Sequence, residues 1–421
     1  MVDIDLSPLI RFHRNVVGSE AGPKRRYLFD QIDWNEKAIM IIGDRGVGKT
    51  TLFTQYAKQK YSDIDQWLYI SGDYFGLAEV GLFRAIESYF AQTTGLCVFI
   101  DEVHKYPEWK IELKNILDAF KAKQILISGS SSIHLLDGTD QKHSKIKDST
   151  SDLQRRRALY HLQQLSFREY LEFKLDVKLK AWALSDLLSQ AHTLTNLVLE
   201  SLSSKNVSIL NMFEDYLAQG CYPYFIEAPS TYAARLENTI NTVISSDIAL
   251  AMDLNMEGVQ KLKKLFSLIA SSKPMTPNIN ALARDLGATR ETIYKYISYL
   301  ERAGLIRAVY DTISKASHIL TRPNKICLAN PNLIQISHEA RLHSEYRGAL
   351  RESFFISNFS KDDIVVAKKG DFQVNGYTFE VGGPSKDASQ VKNEPNAFVI
   401  RDGQDFPSGK FLPLWIFGFL Y

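Results

Sequence analysis

The sequence predicts an α/β domain with a parallel sheet at its N-terminal end, a helical middle, and a smaller α/β domain at its C-terminal end. Three observations carry this. Short apolar runs alternate with helical stretches in the first part of the chain: Ala38 to Ile42, Trp67 to Ile70, Leu96 to Ile100 and Gln124 to Ile127. A strand buried on both faces reads as a continuous apolar run, and strands that alternate with helices build a parallel sheet. From Leu165 to about Met256 the pattern is helical throughout, and from Lys325 onward short strands return.

The bulk numbers fit several domains and exclude little else. The chain has 421 residues, 45% of them hydrophobic and 23% charged, which is ordinary for a folded protein. A formal net charge of +2 argues neither for nor against nucleic acid. Cys97, Cys221 and Cys327 are far apart and show no metal-ligand spacing, so they read as reduced thiols. The N-terminus lacks the long apolar run of a secretory signal, and the apolar stretch Leu412 to Tyr421 is about half a membrane span. The expected location is the cytoplasm, with no membrane partner.

Each element follows in order. Residues up to about 35 read as helical, with a basic knot at Lys24, Arg25 and Arg26. Ala38 to Ile42 is a strand that ends at glycine, and Lys49 to Lys60 is the helix after it. Between them lies Gly43-Asp-Arg-Gly-Val-Gly-Lys-Thr50, the G-x-x-x-x-G-K-[ST] pattern of a phosphate loop. Gly43, Arg45, Gly46, Val47, Gly48, Lys49, Thr50 and Thr51 are the expected nucleotide contacts, with ATP as the nucleotide. The curled backbone aims N–H groups at phosphate oxygens and the helix N-terminus adds partial positive charge. Lys49 would bridge the β- and γ-phosphates, and the Thr50 hydroxyl would ligate Mg2+.

The strand Leu96 to Ile100 ends in Asp101 and Glu102. Asp101 suits the magnesium shell and Glu102 the polarisation of an attacking water; an acid pair that only caps the next helix is the plain alternative. Ser128 and Ser130 close the following strand, where a hydroxyl could sense the γ-phosphate or hold the water, or simply cap a turn. From about His134 to Arg157 the chain is polar and charged, as surface loops are. Arg155, Arg156 and Arg157 end it and offer an arginine to a neighbouring subunit's γ-phosphate, or a solvated basic loop.

Together these residues resemble a family of prokaryotic AAA-type ATPases with a C-terminal domain of unknown function. The likeness runs through Asp101-Glu-Val-His-Lys-Tyr-Pro107-Glu-Trp109, the strand end Ser128 to Ser131, Leu165-Ser-Phe-Arg-Glu169 and Tyr216-Leu-Ala-Gln-Gly220-Cys-Tyr-Pro223. It implies that Arg156 is the family's arginine, although Arg155 stands where the family has glycine. It implies an ATPase; an arginine offered to a neighbouring subunit would require a homo-oligomer.

Ile279 to Leu286, the turn Gly287 to Thr289, and Arg290 to Ala303 read as two helices joined tightly, and Leu305 to Tyr310 begins a strand. This suits a winged helix-turn-helix, with Arg290, Tyr294 and Lys295 as candidate DNA contacts. Glu291 and Glu301 on the same helix weigh against a phosphate-facing surface. Protein contact is the alternative use.

Strands are expected at Lys325 to Ala329, Ile364 to Ala367, Tyr377 to Val381, Ala397 to Ile400 and Pro413 to Phe417. The resemblance implies a PD-(D/E)xK nuclease-like fold here, with Glu352, Asp371 and Glu380 as its acids. Gly382 stands where the lysine belongs, and Lys386 follows a few residues on. The expectation is a nuclease-like domain without cleavage; cleavage through Lys386 is the alternative. The domains expected are 1–160 (P-loop ATPase), 161–258 (helical), 259–322 (winged helix) and 323–421 (nuclease-like). Nucleotide state would then control the C-terminal half, or gate a DNA-binding regulator or defence-type effector.

Overall fold

The apolar run Ala38–Gly43 forms β1, buried along its whole length. In the computed structural model, which describes residues 4–18, 22–130, 153, 155–272, 276–311, 322–336 and 346–421, it lies inside a five-stranded sheet. The other strands are β2 (Trp67–Ser71), β3 (Cys97–Asp101), β4 (Gln124–Ser130) and β5 (Ala158–His161). Their order is β2-β3-β4-β1-β5, and every neighbouring pair is parallel. Parallel neighbours need crossover connections, and the helices Lys49–Lys60, Leu82–Gln92 and Trp109–Ala119 supply them. Leu82, Ile86, Tyr89, Leu113 and Ile116 bury against Met40, Ile42, Val98, Ile100 and Ile127. Within this core the apolar area removed from water stabilises the sheet by about 25 cal/mol per Å².

Helicity before β1 is narrower than the sequence suggested. The helix α1 spans Ser7–Val17, and a single 3-10 turn covers Tyr27–Asp30. The helix α1 is pinned to β2 by buried His13, whose Nδ1 accepts the Tyr69 N–H at 3.0 Å. Burial pushes the His13 pKa down to about 4, so the ring stays neutral and keeps this acceptor. Strand β5 had no clear sequence signal: its burial alternates, as on a sheet edge. Residues 131–152, which include Ser131, Ser132 and most of the expected polar loop, lie outside the described residues.

The chain divides into two units, Met1–Gln164 and Leu165–Tyr421. The second unit begins with helices, from Phe167–Leu175 to Met256–Ala270, as the sequence suggested. Ser166 and Glu169 form a capping box that starts the first of them. Two short helices follow, Ile279–Asp285 and Arg290–Arg302, and the Thr289 hydroxyl caps the second by accepting the Thr292 N–H at 3.1 Å. Gly287, with φ of 55°, makes the turn between them. Strand β6 (Ile306–Val309) then pairs antiparallel with β7 (Lys325–Leu328).

The last sheet holds β8 (Ile364–Val366), β9 (Phe372–Val374), β10 (Tyr377–Gly382), β11 (Ala397–Arg401) and β12 (Phe411–Pro413) in the order β12-β11-β10-β9-β8. Strands β10, β11 and β12 run parallel, and β8 and β9 are antiparallel hairpin partners. One expectation is corrected here. Pro413 to Phe417 is not a strand: β12 ends at Pro413, and Leu414–Phe419 forms 3-10 turns buried on all sides. A short, wholly apolar run does not distinguish a buried strand from a buried helix.

Candidate active site at the carboxyl end of the parallel sheet

Strand order explains the site. Strand β4 lies between β1 and β3, so its carboxyl end stands between the loop after β1 and the acids after β3. The register places Ile41 beside Ser128, and Ile100 beside Ile127. Open parallel sheets gather their ligands at the carboxyl ends of the strands.

The loop from Gly43 to Gly48 is held on both sides. A Cβ at Gly43 would stand 2.3 Å from the Leu162 carbonyl oxygen, so only glycine allows this approach to the chain leaving β5. Gly48 has φ of 99° and caps α2 (Lys49–Lys60), a backbone conformation costly for any other residue. Val47 is buried, Arg45 half-buried, and Gly46 and Thr51 exposed. Buried Arg26 donates to the Val47 carbonyl and, at 2.8 Å, to that of Gln163. Gln164 Nε2 donates to Asp44 Oδ2 at 2.9 Å. Lys49 Nζ donates to the carbonyls of Gly43 at 2.9 Å and Asp44 at 3.0 Å, and lies 3.8 Å from Glu102 Oε1.

Asp101 is the centre of a hydroxyl network. Its Oδ2 accepts from Thr50 Oγ1 at 2.8 Å and from Tyr69 OH at 2.9 Å, and its Oδ1 accepts from Ser128 Oγ. Burial pushes the Asp101 pKa up, and the Glu102 charge adds to this; the three hydroxyls oppose it. Magnesium takes oxygen ligands and usually few from protein. A hydroxyl beside a buried carboxylate fits that ion, and Thr50 and Asp101 are the residues that would hold it.

Glu102 sits in the left-handed region, at φ 48° and ψ 42°. For a residue with a side chain this costs about 1–3 kcal/mol and persists only when the surroundings impose it. They do so here. The Glu102 N–H donates to Ser128 Oγ at 3.0 Å and to Asp101 Oδ1 at 3.1 Å. Gly72 packs so close that a Cβ on it would lie 2.5 Å from the Glu102 carbonyl oxygen. The Glu102 carboxylate lies 3.8 Å from Lys49 Nζ and 3.5 Å from His104 Nε2. His104 Nδ1 accepts the Ser130 N–H at 3.3 Å, the tautomer that puts the ring proton on Nε2.

Lys49, Thr50, Asp101, Glu102 and Ser128 therefore stand together, with Ser130 contributing its backbone N–H. Arg156 does not join them. It precedes β5, whose first residue pairs with Ile39 at the amino end of β1, so it lies at the other end of the sheet. At about 3.3 Å per residue that is roughly 15–20 Å from the loop. Arg156 Nε donates to Asp118 Oδ1 at 2.8 Å. Arg155 is exposed, and Arg157 is buried against Met40. Tyr69, Arg26 and His104 also touch the site, and the sequence did not single them out. Tyr69 lay in an unbroken apolar run and Arg26 in a basic knot; His104 lay inside the acidic segment with nothing to single it out.

Residues 35–171 match the family model of an AAA domain. The N-terminal unit holds an AAA-type P-loop domain. Residues 210–336, beyond the AAA domain, match a domain of unknown function (DUF8612). An uncharacterized protein of Methanocaldococcus jannaschii is 25% identical over 287 residues, which is 65% of this chain; the chain spans 57% of that relative's length. Among solved structures, AMPPCP-bound DnaA from Aquifex aeolicus is 16% identical with a TM-score of 0.29, covering 70% of this chain and 88% of its own. Domain III of the Thermotoga maritima replication initiation protein DnaA is 18% identical with a TM-score of 0.25, covering 51% and 94%. Likenesses this loose carry no functional argument beside the AAA domain's own geometry. Among the described residues, no helix is long and apolar enough to cross a membrane.

Proposed function

We propose that this chain binds ATP with Mg2+ and hydrolyses it, and that nucleotide state controls its C-terminal half. The observation that carries the reading is the placing of Glu102. Its imposed backbone twist sets one carboxylate 3.8 Å from the phosphate-loop lysine, while Asp101 keeps a separate carboxylate beside Thr50. Two acids in two environments suit two tasks. Lys49 would leave the Gly43 and Asp44 carbonyls for the β- and γ-phosphate oxygens. Thr50 and Asp101 would hold magnesium, which would supply charge neutralisation at those oxygens. Glu102 would orient the attacking water and take its proton, with His104 fixing the carboxylate's direction. Ser128 is a positioning residue for both acids, and Arg156 is assigned to a neighbouring copy's site.

The test is Lys49→Ala. Binding of a fluorescent ATP analogue and Mg-dependent phosphate release are both expected to be lost. Unchanged release would end the ATPase reading.

A second reading concerns DNA, and one observation favours it. Glu301 turns toward β6 and accepts the Ala308 N–H at 3.0 Å, and Glu291 pairs with Lys295 at 3.1 Å. The acidic surface expected on the helix Arg290–Arg302 is thus reduced to Glu291, beside exposed Arg290 and Lys295 and half-buried Tyr294. We read residues 259–322 as a winged helix on the tightly joined helices Ile279–Asp285 and Arg290–Arg302 and the antiparallel β6–β7 pair. A duplex titration at several salt concentrations is expected to show salt-dependent binding, and Arg290→Ala with Lys295→Ala should flatten the slope by about 1 for each DNA phosphate that is no longer neutralised. Salt-independent or absent binding would remove DNA as a partner. Residues 323–421 are read as nuclease-like without cleavage.

A further inference from the structure

Three carboxylates meet in the second unit, each from a different element. Glu352 comes from the helix Arg347–Ser357, Asp371 from the residue before β9, and Glu380 from β10. Asp371 Oδ2 accepts the Val381 N–H at 2.9 Å, which ties it to β10. Glu380 is 2% exposed. Carboxylates so gathered need positive charge, and a nuclease-like site would take it from a divalent metal.

Here the charge comes from the chain. Lys325, in β7, places its ammonium between Glu352 and Asp371: it pairs with the Glu352 carboxylate and lies 3.1 Å from Asp371 Oδ1. The Lys325 ammonium lies over the Phe372 ring, 4.7 Å from its centroid. Lys386 pairs with Glu380. With its nitrogen turned to Glu380, the Gln390 amide would donate to the two Glu380 oxygens at 3.3 and 3.2 Å and accept from Lys386 at 3.3 Å. Among the described residues, no three carboxylate, imidazole or thiol groups are spaced to share one metal ion.

Position 382 explains how Lys386 arrives. Side chains two apart on a strand share a face, so a residue at 382 would stand beside Glu380. Gly382 has none, and the Lys386 stem fills the space: a Cβ at 382 would meet its Cγ at 2.5 Å and Cβ at 2.6 Å. The turn after the strand thus brings Lys386 to Glu380 through the space that Gly382 leaves. An oxygen cage for magnesium requires ligands at about 2.0–2.1 Å around one point. With an ammonium already between two of the three acids, a divalent ion would meet like charge where it needs ligands.

We propose that Lys325 is the resident cation of this cluster, so that it works as a metal-free ionic latch fastening β7, the helix Arg347–Ser357 and the β9–β10 hairpin. The proposal rests on the nuclease-like reading of this sheet. The full chain, without nucleotide, is titrated with Mn2+ and free ion is followed by electron paramagnetic resonance. Wild type and Asp371→Asn are expected to bind Mn2+ alike. Lys325→Met is expected to gain one site, at least tenfold tighter than any in wild type, that Lys325→Met with Asp371→Asn loses. A wild-type Mn2+ site removed by Asp371→Asn overturns the latch, and needs no lysine variant to fold. A folded Lys325→Met chain that gains no site overturns it equally. Plasmid nicking in Mn2+ is followed in parallel. Nicking lost in Glu380→Ala would overturn both the latch and the reading without cleavage, whereas a wild-type Mn2+ site with no nicking would overturn the latch alone.

Discussion

Replacing Glu102 by glutamine is expected to lower phosphate release by about 10²–10⁴ while nucleotide affinity stays within about threefold, because a water-orienting base acts in the transition state and not in binding. The geometry gives the reason. Glutamine keeps the size of the side chain and the left-handed backbone that Ser128, Asp101 and Gly72 impose. It cannot take a proton from water. The Asp101 network with Thr50, Tyr69 and Ser128 is untouched, so the expected magnesium shell survives. Single-turnover release with a phosphate sensor, beside a binding titration, separates the two quantities. If the variant keeps a tenth or more of wild-type turnover, Glu102 is not the base.

The second large effect concerns Arg156. Removing an arginine that neutralises transition-state charge costs about 10³–10⁵ in rate where such fingers act. Arg156→Ala is expected to fall in that range. Its position at the amino end of the sheet makes the effect conditional on a second copy, since the loop of its own domain is a strand's length away. The Asp118 ion pair must open for the guanidinium to reach a neighbour; exposed pairs of this kind are worth about 0–1 kcal/mol, a small barrier. Subunit mixing makes the test decisive. Lys49→Ala chains keep Arg156, and Arg156→Ala chains keep the phosphate loop. Each alone should be inactive, and the mixture should regain activity. A monomer that hydrolyses ATP at full rate with Arg156→Ala would end the assignment.

Much of the AAA domain was readable from local pattern. The loop Gly43 to Thr50 announces itself because a tight backbone curl needs glycines at fixed offsets, and Gly46 and Gly48 both adopt positive φ. Strands β1 to β4 were readable because burial on both faces demands unbroken apolar runs. Edge strand β5 was not, since half of its side chains face outward. The C-terminal run failed for the opposite reason. Leu414–Phe419 is as apolar as a strand, but its backbone closes into 3-10 turns.

What the sequence alone determined was the identity of the chemistry-bearing groups: a phosphate loop, an acid pair after a buried strand, a serine at the next strand end, and the acids Glu352, Asp371 and Glu380. The first three are short-range signals, each written within a few residues. The tertiary structure decided which of them meet. The insertion of β4 between β1 and β3 set Ser128 on Asp101 and Glu102, and β2 brought Tyr69 to the same carboxylate. Pairing across 46 residues put Lys325 on Asp371, and an emptied position at Gly382 gave Lys386 its place beside Glu380. Such meetings depend on strand order and side-chain volume, which no local window of sequence contains.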